Sequence, residues 1–364
     1  MQDMTTKPAQ HTRTRTRVFY LDLIRAVAAV LIVLTHFNFH LKEHGGVYVL
    51  TYEPFGIYVG ALGVSLFLII SGAALTLTYR RPINLKRFYW KRFRSIYPMF
   101  WTAWVLGTLA FFLATNGRLP NAAPAKSFIL TVLGIDGLAQ AFYFRTMYLL
   151  GEWFLGFILL YYLVFPVLLW AIDRFPVVTG VVLLVVYVAT IVIMSRYFPG
   201  YPSAAVLTTR LPELAFGSYV VLYIRRTHWA TVLPAAAVLA ASAMFPGRIP
   251  EDVGTTIVGI SVFLILVMAG RYVAIQPVRA LVSLIATYSY PIFLVHHVVI
   301  EQVLKKIDVA GFSRLQCYML LAAECVIIFA LSVALVKVTD AVINFFTNAF
   351  KGMSWRPEVS EAER

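Results

Sequence analysis

Charged residues are scarce in this sequence. They make up 13% of the 364 residues, whereas 60% of the residues are hydrophobic. An ordinary soluble domain is about 25% charged and about 45–50% apolar. The composition therefore argues against a soluble protein and predicts an all-α polytopic membrane protein.

Cysteine is also scarce, and no cysteine pattern points to a metal or a disulfide framework. The two cysteines, Cys317 and Cys325, lie eight residues apart in an apolar segment, without a CxxC or Cys/His spacing. We expect both to be small buried hydrophobic residues, and we expect no metal site.

Acidic residues are few relative to basic ones. The chain has 17 Asp and Glu against 31 Lys and Arg, which gives a net charge of +14. Such a charge can indicate nucleic-acid binding, but lysine and arginine also collect on the cytoplasmic loops of membrane proteins. We therefore expect membrane lipids as partners and no nucleic acid.

Ten apolar segments approach the length of about 20 residues that crosses a bilayer as a helix. They are 21–41, 57–79, 97–114, 152–172, 177–194, 204–224, 229–245, 253–270, 280–301 and 317–337. Segment 127–135 is apolar but too short to span. We predict an interfacial or re-entrant piece there, inside a long loop.

The distribution of lysine and arginine predicts the topology. If the ten spans alternate, most of these residues lie on the side of the N-terminus, so both termini are predicted to be cytoplasmic. The first apolar run is too long and too polar for a cleaved signal peptide, which favours a retained span. We expect a basic tail over 1–18, one transmembrane domain over 19–340 and a tail over 341–364.

The first span carries ionisable residues on one helix face. Arg25 and His36 are eleven residues apart, and eleven steps of about 100° return to within about 20° of the start. Asp22 is placed to pair with Arg25. Ionisable groups inside a bilayer commonly mark functional sites. The alternatives are that Arg25 snorkels to the membrane boundary and that His36 is a hydrogen-bonded packing residue.

Further histidines surround this face. His36, His40 and His44 recur every four residues, but no acidic residue has metal-ligand spacing, so a metal is the weaker interpretation. His296 lies about 24 Å along the ninth span and His36 about 22 Å along the first, which predicts similar depths. His297 points about 100° away from His296 and is predicted to be interfacial.

Three other patterns are less specific. Small residues in the second span favour close helix packing, namely Gly60, Gly63, Ser65, Ser71 and Gly72. The stretch 80–98 interleaves basic and aromatic residues, which suits either anionic lipid headgroups or a phosphate-rich cofactor such as coenzyme A. Arg210 and Glu213 lie one turn apart in the sixth span, where we expect an ion pair that also orders the site.

Four segments in order resemble the membrane-bound acyltransferase 3 family. They are YLDLIRAVAAVLIVLTHF, which matches the family's Arg-x10-His signature, VSLFLIISGAAL, KRFRSIYPMFW and WFLGFILLYYLVFP. TRLPELAFG and SYPIFLVHH add weaker matches, so the likeness covers residues 18–300. The sequence departs from the family at Ser95, where many members have arginine, and at Ile158, where many have glutamate; here Glu152 precedes Trp153 instead.

The resemblance implies acyl transfer, usually of acetyl, from cytoplasmic acyl-CoA to a hydroxyl of a cell-surface or lipid-linked carbohydrate. It implies a multi-pass protein of the bacterial plasma membrane, with acetyl-CoA or another acyl-CoA as donor substrate and no tightly bound cofactor. Carried over by position, Arg25 contacts the donor and His36 serves the chemistry. The similar depth of His296 makes it a second candidate catalytic histidine, which assists or orients the reaction. A histidine suits this role because a sugar hydroxyl needs a general base with a pKa near neutrality.

The remaining candidate residues divide between the two substrates. The predicted donor site comprises Arg25, Ser71, Arg92 and Arg94. The predicted acceptor site comprises His40, Glu152, Trp153, Arg210 and Glu213. We favour direct transfer over an acyl-enzyme at Ser71 or His36. The alternative function is a transporter or flippase of lipid-linked sugar or acyl groups, which explains the spans but not the basic aromatic stretch combined with the Arg25 and His36 face.

Overall fold

The computed structural model describes residues 18–51, 53–79, 82–119, 122–224 and 227–352. Within these ranges the regular structure is helical, and no β-strand is present. Parts of the predicted terminal tails lie outside the described residues, as do Arg80, Arg81, Arg225 and Arg226.

Twelve α-helices follow one another along the described chain. They are α1 Phe19–Glu43, α2 Val59–Thr78, α3 Leu85–Ala114, α4 Phe128–Leu133, α5 Asp136–Ala141, α6 Trp153–Arg174, α7 Pro176–Tyr197, α8 Leu207–Tyr219, α9 Trp229–Met244, α10 Glu251–Tyr272, α11 Gln276–Leu304 and α12 Arg314–Gly352.

Eight helices of the described chain are long and apolar enough to cross a membrane: α1, α2, α3, α6, α7, α10, α11 and α12. The predicted all-helical membrane fold is therefore confirmed. The other two predicted spans are also helical but shorter. Segment 204–224 contains α8 and a π-helical turn, Val220–Ile224, and segment 229–245 contains the 16-residue α9. Their crossing of the membrane stays a prediction.

Two helices extend beyond the predicted spans. α3 begins at Leu85, where the side chain of Asn84 accepts a hydrogen bond from the backbone N–H of Arg87 at 2.9 Å and caps the first turn. Lysine and arginine are good helix formers, so most of the basic aromatic stretch is helix rather than loop. α12 likewise continues past residue 340 to Gly352.

The segment predicted to be interfacial or re-entrant contains a short helix beside α3. α4 has six residues, too few to cross a bilayer. The Tyr97 hydroxyl donates to the carbonyl of Leu133 at 2.9 Å, and the Trp101 indole N–H donates to the carbonyl of Val132 at 3.0 Å. α5 then packs against α6. The segment between α3 and α6 therefore packs against these two helices and ends where α6 begins.

α1 and α2 occupy the centre of the bundle. α1 contacts α2, α10 and α11, and α2 contacts α8 and α10. The crossing of α2 and α8 is close because glycines meet there: a Cβ atom on Gly72 would lie 1.9 Å from the carbonyl oxygen of Leu214. The predicted packing role of Gly72 is thus confirmed.

The two ends of the bundle can be told apart by the helix termini that meet there. At one end, the ring of Phe19 in α1 lies 4.8 Å beneath the guanidinium of Arg279 in α11, and Tyr20 packs against Gly270 of α10. We call it the basic end, because Lys86 and Arg87 of α3 also lie there. The opposite end, where α1 ends and α10 begins, is the far end.

Candidate functional site

A cavity of about 260 Å³ lies between α1, α2, α3, α6 and α11. Several polar and aromatic side chains line it, namely Arg25, His36, Ser71, Ser95, Trp153, Tyr162 and Tyr290. We call it the central cavity. It brings together residues from five helices that are widely separated in the sequence.

The polar face predicted for α1 forms one wall of the central cavity. Arg25 and His36 both line it, and they are separated by about 16 Å along the helix axis. The cavity therefore extends along α1 rather than surrounding a single residue. Nη1 of Arg25 lies 3.4 Å from Oδ1 of Asp22, which is the predicted pair, and 30% of the Arg25 side chain is exposed.

Arg92 approaches the central cavity through Tyr162. Its guanidinium lies 5.6 Å from the centre of the Tyr162 ring and 5.7 Å from that of Tyr79, and it donates to the Tyr79 hydroxyl at 3.4 Å. Arg94, by contrast, is exposed and does not line the cavity. Neither of the two arginines predicted for the donor site on this stretch lines the cavity, but Arg92 contacts Tyr162, which does.

Two serines line the central cavity, and each donates to a backbone carbonyl. The Ser71 hydroxyl donates to Phe67 at 2.7 Å, and the Ser95 hydroxyl donates to Arg92 at 2.9 Å. A serine nucleophile needs a base within reach of its proton. In both serines that proton is instead directed at the main chain.

Four histidines meet near the far end of the central cavity. The ring of His36 lies 4.9 Å from that of His296 and 5.1 Å from that of His297, measured between centres. The ring of His40 lies 5.4 Å from that of His297. We call these residues the histidine cluster. The similar depth predicted for His36 and His296 is observed, and His297 contacts His36 rather than facing only the interface.

Three ring nitrogens of the histidine cluster are buried without a hydrogen-bond partner among the described residues: Nε2 of His40, Nε2 of His296 and Nδ1 of His297. Nδ1 of His296 lies 2.8 Å from the carbonyl oxygen of Phe293 and must donate to it, so the neutral ring has its lone pair on Nε2. Buried polar atoms normally have a partner. The cluster can therefore hold a polar group such as a hydroxyl or water.

The histidine cluster does not have the geometry of a metal site. Over the described ranges, no group of three or more His, Cys, Asp or Glu side chains is placed to hold a metal ion. Nδ1 of His40 instead lies 2.9 Å from a carboxylate oxygen of Glu43, whose side chain is half exposed at the far end. His40 thus contacts both His297 and Glu43, and it does not itself line the central cavity.

Glu152 lies behind the wall of the central cavity. It is fully buried, and its carboxylate accepts hydrogen bonds from the backbone N–H groups of Leu149 at 3.3 Å and Leu150 at 2.6 Å. Gly151 and Trp153, on either side of it, line the cavity. Of these two residues predicted for the acceptor site, Trp153 reaches the cavity and Glu152 fixes the backbone that forms the wall.

Glu152 also shares its surroundings with a second carboxyl group. Asp136 is fully buried, and both residues precede α6. Burial, with repulsion from the neighbouring Asp136, raises the pKa of Glu152 above its ordinary value, and burial raises the pKa of Asp136 as well. Two buried carboxyl groups that repel each other retain a proton near neutral pH.

This retained proton predicts a pH-dependent stability. Because the pKa of Glu152 is higher in the folded protein than its ordinary value of 4.5, the folded state binds more protons, and stability falls as the pH rises above that ordinary value. We expect the Tm of the purified protein to fall as the pH is raised from about 5 towards neutrality, and Glu152→Gln to flatten this dependence. The control is Glu53→Gln, at an exposed position. An unchanged slope in the Glu152 variant contradicts the assignment.

The predicted ion pair of α8 is present, but it lies away from the central cavity. Nη1 of Arg210 lies 3.2 Å from Oε1 of Glu213, and only 4% and 0% of these side chains are exposed. Neither residue lines the cavity. Gly259 of α10 has no side chain, and Ser65 of α2 and Glu213 lie next to the position where its Cβ would be. The ion pair is therefore part of the contact of α8 with α2 and α10.

Comparison with known proteins adds an independent finding. A family model described as an acyltransferase domain matches residues 18–338, which reach from the beginning of α1 into α12. No curated protein and no solved structure matches the chain significantly. The family match includes Arg25, His36 and every other residue that lines the central cavity. The chain belongs to the acyltransferase 3 family of multi-pass membrane proteins.

Proposed function

We propose that this acyltransferase moves an acyl group, most simply acetyl, from cytoplasmic acyl-CoA to a hydroxyl of a cell-surface or lipid-linked carbohydrate at the bacterial plasma membrane. The observation that carries the proposal is that Arg25 and His36 line one cavity. A cation suited to a phosphate-bearing donor and a base suited to a hydroxyl acceptor therefore face the same space.

The donor enters from the basic end in this proposal. Lysine and arginine collect on the cytoplasmic side of membrane proteins, and guanidinium groups bind phosphate in a bidentate manner. The central cavity, at about 260 Å³, is smaller than the usual range of about 300–1,000 Å³ for drug-sized ligands. The nucleotide would therefore stay at the mouth near Arg92, and the thioester arm would pass Arg25 towards His36.

The acceptor enters from the far end, where the histidine cluster lies. His36 removes the proton of the acceptor hydroxyl while its oxygen attacks the thioester carbonyl. The C–S bond then breaks, and the coenzyme A thiolate leaves and takes up a proton, which His36 supplies. The unpaired Nε2 of His296 accepts a hydrogen bond from the acceptor or from the protonated His36. Because the hydroxyls of Ser71 and Ser95 bond to the main chain, direct transfer is favoured over a serine acyl-enzyme.

The proposal is tested with full-length protein reconstituted in lipid. It is incubated with radiolabelled acetyl-CoA and a panel of bacterial polysaccharides and lipid-linked oligosaccharides. We expect label to appear in a glycan and to be released by mild alkali, as an O-ester is. Absence of transfer to every acceptor, combined with movement of a lipid-linked sugar across the bilayer, would instead establish the transporter.

Arg92 and Arg94 provide a matched pair for the donor site. Arg92 contacts the cavity-lining Tyr162, whereas Arg94 is exposed. We expect Arg92→Gln to weaken acetyl-CoA binding about 10-fold, as the loss of a hydrogen bond to a charged group does, and Arg94→Gln to change it less than about twofold. Isothermal titration calorimetry measures both. Equal effects of the two variants would mean that the stretch acts through general charge and not through the cavity.

A further inference from the structure

A second cavity, of about 460 Å³, opens at the basic end between α1, α2, the turn after α8, α10 and α11. It shares no lining residue with the central cavity. Tyr20 lines it, whereas Arg25 lines the central cavity, and these residues point about 140° apart around α1. We call it the basic-end cavity. It is a separate site on the opposite side of α1.

Two arginines of the basic-end cavity are held by neutral groups. Nη2 of Arg271 donates to the hydroxyl of Thr227 at 3.2 Å. Nε of Arg279 donates to the carbonyl of Ala274 at 2.8 Å, and its guanidinium lies 4.8 Å from the ring centre of Phe19. These contacts with neutral groups fix the position of each guanidinium at the cavity rim. Each guanidinium keeps further N–H donors that these contacts do not use.

Neither arginine has a described counter-ion. Among the described residues, no carboxylate oxygen lies within 4.0 Å of Arg271 or Arg279. The cavity lining includes no aspartate or glutamate. Two fixed cations beside one cavity therefore attract an anion, and the planar fork of guanidinium matches the oxygens of a phosphate.

The rest of the lining indicates the source of this phosphate. Leu77, Val220 and Val267 provide apolar walls, and the cavity lies where membrane-spanning helices begin and end. A lipid headgroup enters such a boundary from the bilayer itself, and anionic lipids are drawn to basic residues there. We propose that the basic-end cavity binds the headgroup phosphate of an anionic phospholipid. The bound lipid links the beginning of α1, the helix that carries Arg25 and His36, to the turn between α10 and α11.

The test is native mass spectrometry of the full chain, with phosphatidylglycerol as the anionic probe and phosphatidylcholine as the neutral one. We expect Arg271→Gln combined with Arg279→Gln to weaken phosphatidylglycerol binding by at least about tenfold, because each basic contact near the surface contributes separately. Phosphatidylcholine binding should not change. The matched control combines Arg196→Gln with Arg248→Gln, two exposed arginines at the far end, and should retain phosphatidylglycerol.

Three outcomes overturn the proposal. The first is unchanged phosphatidylglycerol binding in the Arg271 and Arg279 variant. The second is an equal loss in the control variant, which would show nonspecific attraction of anionic lipid. The third is a loss of acetyl-CoA affinity with phosphatidylglycerol binding intact, which would assign the cavity to the donor's phosphates. Since the readout is lipid binding, failure of this proposal leaves the proposed acyl transfer unaffected.

Discussion

Replacing His36 with alanine is expected to lower the acyl transfer rate by about 10²–10⁴-fold, the usual contribution of a general base. His36 lines the central cavity at the histidine cluster, and Arg25 lies about 16 Å away along α1. In the proposed mechanism the donor's phosphates bind at the other end of the cavity, so the variant should keep its affinity for acetyl-CoA. Label transfer measures kcat, and calorimetry measures the Kd of the donor.

The control for this prediction is His44→Ala. His44 follows the last residue of α1 and does not line the central cavity, and its ring bonds to the carbonyl of His40 at 2.8 Å. The His44 variant therefore removes a histidine close to the cluster but keeps His36, the proposed general base. Wild-type kcat in the His36 variant contradicts the mechanism. A loss of donor binding together with kcat would instead place His36 in the donor site.

The Arg25 and His36 face could be predicted because it depends on one helix only. Helical periodicity fixes which side chains of a continuous helix point the same way, and no knowledge of neighbouring helices is required. The same local geometry predicted the ion pair of Arg210 and Glu213, which the structure confirms. It could not show that this pair faces α2 and α10 and not the central cavity, since that depends on where α8 packs.

The contributions of adjacent residues were harder to predict for the same reason. Arg92 and Arg94 are two positions apart in one basic stretch, but only Arg92 meets Tyr162 of α6. His297 is next to His296, and both contact His36 because α11 packs against α1. Neither outcome can be read from composition or periodicity, because each depends on the position of a second helix.

Glu152 shows a different limit of sequence reasoning. Its place before Trp153 suggested a side chain that reaches the substrate. In the structure, the short α4 and α5 bring Asp136 to a buried position before α6, and the Glu152 carboxylate is occupied by backbone N–H groups. Such a connection leaves no periodic pattern, because it consists of two six-residue helices joined by turns. The length of this connection was enough to predict that it does not span the membrane. Its contacts could not be predicted in the same way.

The substitution Gly217→Ala is expected to destabilise the packing of α2 against α8 strongly. A Cβ atom at Gly217 would lie 1.9 Å from the carbonyl oxygen of Ile69 and 2.7 Å from the backbone nitrogen of Ala73. Both obstacles are main-chain atoms of α2, so no side-chain rotation relieves the overlap and the two helices must separate. Overpacking typically costs about 1–3 kcal/mol, and we expect this site to reach or exceed the upper value. Size-exclusion chromatography and the Tm of the purified protein measure the loss.

Gly311→Ala is the matched control, because no atom lies within 4 Å of the Cβ that it would add. This variant should keep the wild-type Tm and elution profile. A folded Gly217 variant with an unchanged Tm would show that α2 and α8 do not cross as closely as described. That result would also bear on catalysis, since Ser71 of the central cavity is adjacent to Gly72, whose own Cβ would meet Leu214 of α8 at 1.9 Å. The α2–α8 crossing sets the position of this cavity wall, so a variant that folds with separated helices should lose acyl transfer even though it retains Arg25 and His36.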